Sequence, residues 1–485
     1  MTLAGRLATG FAAFAAGWSV MALEMLDGRL MAPVFGQTIH QWGAIIGTAL
    51  AFMALGYALG GRLGARPDGA RALPWLLGAA ALFAALVPWL GRGIAAGAEA
   101  LLGPLPGAVG ASMLLIGPPA FVLAAASPLC VARLAPDIGA ARASGLVSAC
   151  QALGSIGGTF FAAFLAIPYL GLTGGYALAA LVAALAALAT GLRPLPAALA
   201  LLPLLPGYLA EQARQRLFAA YVETPYNTAM VWRDAQATSL LLNTTRVAQS
   251  VRWHDGRETG SYWELLSAVP ALARPGQAEG GSALYLGVAG GAAISATQAA
   301  WPALRPQGVE IDPGVTALAR AHFSLSIPVA HDDARRFVAK DTGRYAVIMV
   351  DLYATGQIPA HIATVEFFES LARRLAPGGV VAMNVYGGGD PESIVGPLAA
   401  SLGRAFPGLL AARSASRNTL LLAWGEPMAV AAAEAALRAA HEAARRAALR
   451  LSRTLEEGAP LAAGHAPLTD ERSDMEIRAA RALSR

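Results

Sequence analysis

Two rhythms of hydrophobic and polar positions divide this chain. Over residues 1 to about 210, apolar stretches of near-spanning length follow one another, with short polar breaks between them. A helix crossing a bilayer needs a run of ~20 apolar residues. Spans are expected near 8–27, 42–61, 73–92, 108–132, 143–168 and 172–192. The stretch PLPAALALLPLLPGYLA, 194–210, is apolar but short, and holds Pro194, Pro196, Pro203 and Pro206. It reads as a broken interfacial or re-entrant segment. A seventh span is the alternative, and it would carry everything after it to the other side. From about Glu211 the character changes. AYVETPYNTAMVWRDAQATSLLLNT (220–244) alternates apolar and polar residues with turn-like breaks, the pattern of a small antiparallel β unit. A helix is expected over 260–273. Strands then alternate with helical patterns: ALYLGV (283–288), GVEID (308–312), YAVIMVDLY (345–353) and VVAMNVY (380–386). Such alternation predicts a parallel sheet that binds ligands at the carboxyl ends of its strands. The Ala/Arg-rich stretch 429–458 reads as one long packing or oligomer helix.

Composition strengthens the membrane reading. Of the 485 residues, 56% are hydrophobic and only 14% charged, and the mean hydropathy is +0.50. A soluble globular chain carries roughly 25% charged residues. The formal net charge is only +5, and in the first half the arginines sit in short loops. That is the mark of membrane topology, so a lipid bilayer is the expected partner and no nucleic acid is. Arg6, Arg62, Arg66, Arg71, Arg133, Arg142 and Arg193 fall on one side of the six expected spans, Arg29 and Arg92 on the other. The positive-inside rule then places the N-terminus and the region after Arg193 in the cytoplasm. The expectation is a multi-pass protein of a bacterial-type inner membrane with its catalytic half cytoplasmic.

Within the spans, the small residues of GYALGGRLGAR (56–66) and GSIGGTFFAAF (154–164) suit close helix packing. Glu24, Asp27 and Arg29 are candidates for a functional site facing the bundle interior, the alternative being a pairing at the interface. Gln151 suits an interhelical hydrogen bond. Cys130 and Cys150 read as small core residues, and the seven histidines show no ligand spacing, so no metal is expected.

The chemistry concentrates in the second half. The strand at 283–288 enters a turn with Gly287, Gly290 and Gly291, and a helix opens at about Ala292. Glu310 lies about twenty residues past these glycines, at the end of the next strand, where a carboxylate takes both hydroxyls of a ribose. Asp333 follows the next helix, in place to accept from an adenine amino group. A dinucleotide fold would show a tighter G-x-G-x-x-G. The turn G-V-A-G-G is more like the nucleoside grip of enzymes that use S-adenosylmethionine. The expected architecture has several domains. They are an N-terminal α-helical transmembrane bundle (1–210), a small β unit with a connecting helix (211–275), a Rossmann-like α/β domain of S-adenosylmethionine-methyltransferase type (276–428), and a C-terminal helix and tail (429–485).

The β unit, YWELLSAVP from Tyr262, the glycine turn, VEIDP (309–313), DDAR (332–335) and VDLY (350–353) occur in the order seen in polyamine aminopropyltransferases. In these motifs the second half resembles the spermidine synthase family. With its apolar first half and the ending PLTDERSDME (467–476), the whole resembles integral-membrane, fused transporter-like spermidine synthases. The resemblance implies that Glu310 holds the ribose and Asp333 the adenine. It implies that Asp351 accepts a proton from an attacking amine and that Tyr262 helps place that amine. It implies no covalent cofactor, with decarboxylated S-adenosylmethionine or S-adenosylmethionine as co-substrate, and a small amine or another small molecule as acceptor. The chain departs from the family at two points. Where the family's glycine turn holds an aspartate for the donor's ammonium, this chain has Gly290–Gly291–Ala292. No second acid follows Asp351, which continues LYATGQ. Three readings therefore stay open: an aminopropyltransferase, a methyltransferase or lyase on the same fold, and a transporter or sensor with a nucleoside-binding domain. A homo-oligomer is compatible with each.

Overall fold

The computed structural model describes residues 1–36, 38–245, 247–353, 357–386, 392–414, 417–475 and 478. They form two compact units, Met1–Leu217 and Phe218–Arg485.

The first unit is all helical. Its helices are α1 (Leu3–Phe35), α2 (Ile39–Gly64), α3 (Leu73–Leu102), α4 (Pro104–Leu115), α5 (Gly117–Ile138), α6 (Ala140–Phe161), α7 (Gly171–Thr190), α8 (Pro194–Leu201) and α9 (Leu204–Gln215). A π-helical segment, Ala162–Leu170, extends α6. Among the described residues six helical stretches are long and apolar enough to cross a membrane, the last of them Pro194–Gln215. Glycines bring the helices into backbone contact. The space a Cβ would fill at Gly17 is taken by the Gln151 carbonyl, at Gly154 by that of Phe14 and at Gly158 by that of Trp18, which seats α6 directly on α1. Gly56 and Gly60 do the same for α2 against the Phe121 and Ala125 carbonyls of α5. The span expected over 108–132 is two helices, broken at Ile116 where Gly117–Pro118–Pro119 starts α5. Gln151 accepts an interhelical hydrogen bond from Ser127 Oγ at 3.0 Å. Cys130 is buried and Cys150 half-buried, and neither is in a disulfide. Asp27, 1% exposed, accepts from the phenol of Tyr176 on α7 at 2.5 Å.

The second unit has two sheets. A four-stranded antiparallel meander runs β1 (Ala220–Glu223), β2 (Thr228–Arg233), β3 (Ala237–Leu242) and β4 (Ala248–Trp253) in chain order. The segment expected as one helix over 260–273 is α10 (Tyr262–Leu266) followed by a 3-10 turn, Val269–Leu272. The larger fold alternates β5 (Ser282–Leu286), α11 (Ala292–Ala300), β6 (Arg305–Val309), α12 (Pro313–Phe323), β7 (Val329–Ala330), α13 (Ala334–Lys340), β8 (Tyr345–Val350), α14 (Val365–Arg374), β9 (Leu375–Tyr386) and α15 (Glu392–Ala405). It continues with β10 (Gly408–Arg413), β11 (Asn418–Trp424), α16 (Val430–Arg438), α17 (Glu442–Ser452) and β12 (Leu455–Glu457). The single tail helix expected over 429–458 is thus two helices and a strand.

The eight strands lie in the order β12-β10-β11-β9-β8-β5-β6-β7. Strands β5 to β9 are mutually parallel, while β11 runs antiparallel to both β9 and β10. Alternate residues of β8 enter opposite cores: Val347 and Met349 one, Ile348 and Val350 the other. A sheet buried on both faces needs such continuous apolar strands. From β5 the chain builds outward through β6 and β7, then returns to lay β8 on the other flank of β5. The carboxyl ends of β5 and β8 therefore flank a topological switch point, where open α/β sheets bind ligands.

Candidate active site

The chain leaves β5 through Gly287 and leaves β8 through Asp351, so the switch point sets these residues side by side. Gly287 has φ +89°, and a Cβ there would strike the Asp351 carbonyl oxygen. Only glycine satisfies both conditions. Gly291, at φ +79°, opens α11 in the left-handed region. Gly290 donates its amide to Ser250 Oγ on β4 at 3.0 Å, and a Cβ at Gly290 would lie 2.6 Å from Ser250 Cβ. The glycine turn thus takes its shape from β8 below and from the small sheet above.

Asp351 is held from two sides. Its Oδ2 accepts from Tyr262 Oη at 2.8 Å, and its Oδ1 accepts from Asn384 Nδ2 at 2.8 Å. The Asn384 amide is oriented in turn by Asn418, whose Nδ2 donates to Asn384 Oδ1 at 2.8 Å. Tyr353 Oη donates to the Asn384 carbonyl at 3.1 Å and accepts from the Tyr386 amide at 2.6 Å. Burial raises the Asp351 carboxyl above its ordinary range, against the opposing pull of Asn384 and Tyr262. Burial, with Asp351 beside it, raises the Tyr262 phenol well above its usual value. A carboxylate whose proton affinity is raised by burial, at the end of a central strand, is suited to act as a general base.

Glu310 follows β6. Its Oε2 accepts from the amides of Val288 and Ala289 at 3.2 and 3.1 Å, and its Oε1 from the Asp312 amide at 3.2 Å. Burial raises this carboxyl too, while those amides oppose the shift. The acid therefore anchors the glycine turn as it stands beside it. Asp312, fully buried, ties this corner to the small sheet. Its Oδ2 accepts from Thr224 Oγ1 at 2.6 Å and Asn227 Nδ2 at 2.8 Å, and its Oδ1 from the Gly314 amide at 2.9 Å.

Asp333 caps α13. Its Oδ1 accepts from the Arg336 amide at 3.0 Å, and its Oδ2 lies 3.0 Å from His361 Nε2. Burial would raise it, but the Arg336 amide and His361 outweigh burial and hold it below the usual carboxylate range. No hydrogen bond among the described residues joins Asp333 to Asp351 or Glu310. The C-terminal motif braces the same corner: Asp470 pairs with Arg335 and accepts from Thr364 Oγ1 at 2.8 Å. Glu476 of that motif lies outside the described residues. So does Ala354–Thr355–Gly356, part of the stretch that lacks a second acid. Among the described residues no group of three or more His, Cys, Asp or Glu is placed to hold a metal.

Sequence reading missed Asn384, Asn418, Ser250 and the Thr224–Asn227 pair. Each acts across more than thirty residues of chain, and an isolated Asn or Ser carries no local signal. The AMN and RNT contexts of Asn384 and Asn418 offer at most a polar residue near a strand end.

Fold and site together define a doubly wound α/β domain. It has a glycine turn, an acid after the second strand and a buffered acid at the switch point. No family model matches the sequence. Over 165 residues the chain is 36% identical to a "Probable polyamine aminopropyl transferase" of Bifidobacterium longum (strain NCC 2705), a match covering 34% of this chain. It spans only 36% of that relative's length. Among solved structures, a probable spermidine synthase from Corynebacterium glutamicum ATCC 13032 is 19% identical with TM-score 0.43, covering 53% of this chain and 98% of that one. The spermidine synthase of Thermotoga maritima is 15% identical with TM-score 0.36, covering 44% and 74%. Human methyltransferase-like protein 13, in complex with SAH, is 22% identical with TM-score 0.32, covering 39% and 90%.

Proposed function

We propose that the chain is a membrane-anchored aminopropyltransferase of the spermidine synthase type. It moves an aminopropyl group from decarboxylated S-adenosylmethionine to a small amine. The observation that carries this reading is Asp351, fixed between Tyr262 and Asn384 at the switch point and abutting the glycine turn. The similarity to a probable polyamine aminopropyl transferase supports it.

In the reaction, the amine nitrogen attacks the carbon beside the sulfonium. A carbon–nitrogen bond forms, the carbon–sulfur bond breaks, and its electron pair returns to sulfur as a neutral thioether. The amine arrives as an ammonium and must lose a proton to attack. Asp351 attracts that cation and takes the proton, while Tyr262 fixes the carboxylate and borders the acceptor. Glu310 holds the ribose hydroxyls, and Asp333, at the head of α13, receives the adenine amino group. Gly287, Gly290 and Gly291 let the backbone approach the donor closely.

One observation favours a second reading, an enzyme that uses intact S-adenosylmethionine. The helix α11 has no acid in its first turn and no side-chain cap. A carboxylate-bearing donor would avoid an acid there, because like charges repel. The two readings part in one experiment. The purified full chain is given each donor with and without a diamine, and the thioether nucleoside is identified by mass spectrometry. Amine-dependent methylthioadenosine from the decarboxylated donor is the expected result. Adenosylhomocysteine from the intact donor would establish methyl transfer in its place.

A further inference from the structure

We propose that α8 and α9 form a further membrane crossing. The chain after Leu217 then leaves the membrane on the side opposite Met1, outside the cytoplasm. The inference rests on the first unit alone and does not depend on the transferase reading.

The contacts sort the helix ends onto two sides. On the first side the amino group of Met1 and the Arg6 guanidinium bind Asp137, at 3.0 and 3.2 Å, so α1 begins where α5 ends. The α7 end joins them, since Arg133 donates to the Thr190 carbonyl at 3.1 Å. On the second side Tyr176, early in α7, reaches Asp27, late in α1. Leu30 of α1 fills the space beside Gly91, late in α3. The 51-residue apolar stretch Ala140–Thr190 therefore runs out along α6 and back along α7, turning at Gly171.

The next stretch starts on the first side. Leu192 fills the space beside Gly78, early in α3. It then climbs α3 in parallel: Pro88 closes on Gly207, and Arg92 lies 3.9 Å from Glu211. The stretch Pro194–Gln215 has 22 residues, about 33 Å of helix against a hydrocarbon core of about 30 Å.

Its faces exclude an interfacial helix. Such a helix needs a charged or polar face toward water. From Pro194 to Ala210 there is no charged or amide side chain. Ala197, Ala200 and Gly207 are buried, whereas Leu195, Leu199, Leu202, Leu205 and Leu209 are each more than half exposed. An outward leucine stripe with an inward small-residue face suits a span packed on one side and in lipid on the other. Prolines are tolerated in such helices. Beyond Arg193 the next charged side chain is Glu211, which pairs with Arg92 and Arg214 at the far end.

The arginines assign the sides. Of the eleven in Met1–Leu217, seven (6, 62, 66, 71, 133, 142 and 193) fall on the Met1 side and four (29, 92, 214 and 216) on the other. The Met1 side is cytoplasmic. The cytoplasmic location expected for the second unit from six spans is replaced by an extracytoplasmic one. If that unit uses a sulfonium donor, the donor's fixed charge cannot diffuse through hydrocarbon. A transport step must then supply it.

Single cysteines test the topology without any reading of activity. Cys130 and Cys150 are replaced by alanine, and Asp68→Cys or Glu279→Cys is added; both added positions are exposed. Intact spheroplasts are treated with a membrane-impermeant maleimide. The proposal predicts labelling at position 279 at once, and at position 68 only after permeabilisation. Equal behaviour of the two positions would mean that 194–215 does not cross. Labelling of position 68 alone would mean that the arginines point the other way. Either result overturns the proposal. Alkaline phosphatase, which needs disulfides and so an oxidising compartment, gives an independent reading in the native-cysteine chain. Fused after Arg485 it should be active, and an inactive phosphatase beside a fluorescent cytoplasmic reporter at the same site overturns the proposal as well.

Discussion

Replacing Asp351 by asparagine removes the proposed base while leaving its scaffold standing. Asn384 presents its amide nitrogen to Asp351 and cannot turn over without losing Asn418. The new side chain must therefore point its carbonyl oxygen at Asn384 and its NH2 at Tyr262, whose hydroxyl has lone pairs to accept it. Both contacts survive, so the site keeps its shape. What disappears is proton acceptance, worth about 10²–10⁴ in rate. That corresponds to roughly 2.7–5.5 kcal/mol on the barrier at about 1.36 kcal/mol per tenfold. The deficit should depend on pH. A primary alkylammonium resembling a lysine side chain, pKa about 10.4, is free to roughly one part in a thousand at about pH 7.4 and to about a quarter at about pH 10. The gap between variant and wild type should narrow as pH rises, while donor affinity changes little. Stability gives a separate check. Burial raises the Asp351 pKa in the folded state, so the folded state disfavours the carboxylate. That penalty is absent below the unfolded value of about 3.9 and grows until the raised folded value is passed. Asp351→Asn should accordingly gain stability relative to wild type as pH climbs through that window. Steady-state product formation between about pH 7 and pH 10, donor binding by calorimetry, and thermal unfolding of both proteins from about pH 4 upward measure these effects. Undiminished turnover, or a deficit that ignores pH, refutes the proton-acceptor role.

Other expectations follow from the same geometry. Glu310→Ala should lower donor affinity about tenfold to a hundredfold, the worth of a lost charge-assisted bond of roughly 1.5–3 kcal/mol; unchanged calorimetric affinity would put the ribose elsewhere. Gly287→Ala should destabilise the second unit by about 1–3 kcal/mol from its positive φ alone, before any clash with the Asp351 carbonyl; an unshifted unfolding midpoint would show that the turn relaxes freely. Ala292→Asp should improve use of the decarboxylated donor and weaken binding of the carboxylate-bearing one. The opposite preference, in competition binding, would mean that the donor's tail does not lie at the start of α11.

What could be read from the sequence was local, and what escaped was long-range. Gly287, Glu310 and Asp351 sit where a strand ends and a turn begins, and the β/α alternation fixes such positions by pattern alone. Asp351 and Tyr262 are 89 residues apart, and their contact needs the sheet order that places β8 beside β5. Asn384 and Asn418 meet only because β11 pairs with β9. The strands β10 and β11 are rich in Leu and Ala, residues that serve a helix equally well, so they left no clear signal. The tail broke into α16 and α17 at Ala439–Ala440 without a glycine or proline to announce it. In the first unit the long apolar helices were legible from length and hydropathy, apart from the break at Ile116. The behaviour of 194–215 was not, because its four prolines argue for a break and only its packing along α3 shows the course it takes.

The central claim is that this chain transfers an aminopropyl group from an adenosyl sulfonium to an amine. It is tested most directly by donor carrying carbon-13 in the aminopropyl carbons. The purified full chain is incubated with that donor and a diamine, and both products are followed by mass spectrometry. The account predicts all three labelled carbons on the amine, in amounts equal to the unlabelled methylthioadenosine formed, with both products made about 10²–10⁴-fold more slowly by Asp351→Asn near neutral pH. Donor that is bound but never consumed, or label that never reaches the amine, would contradict it.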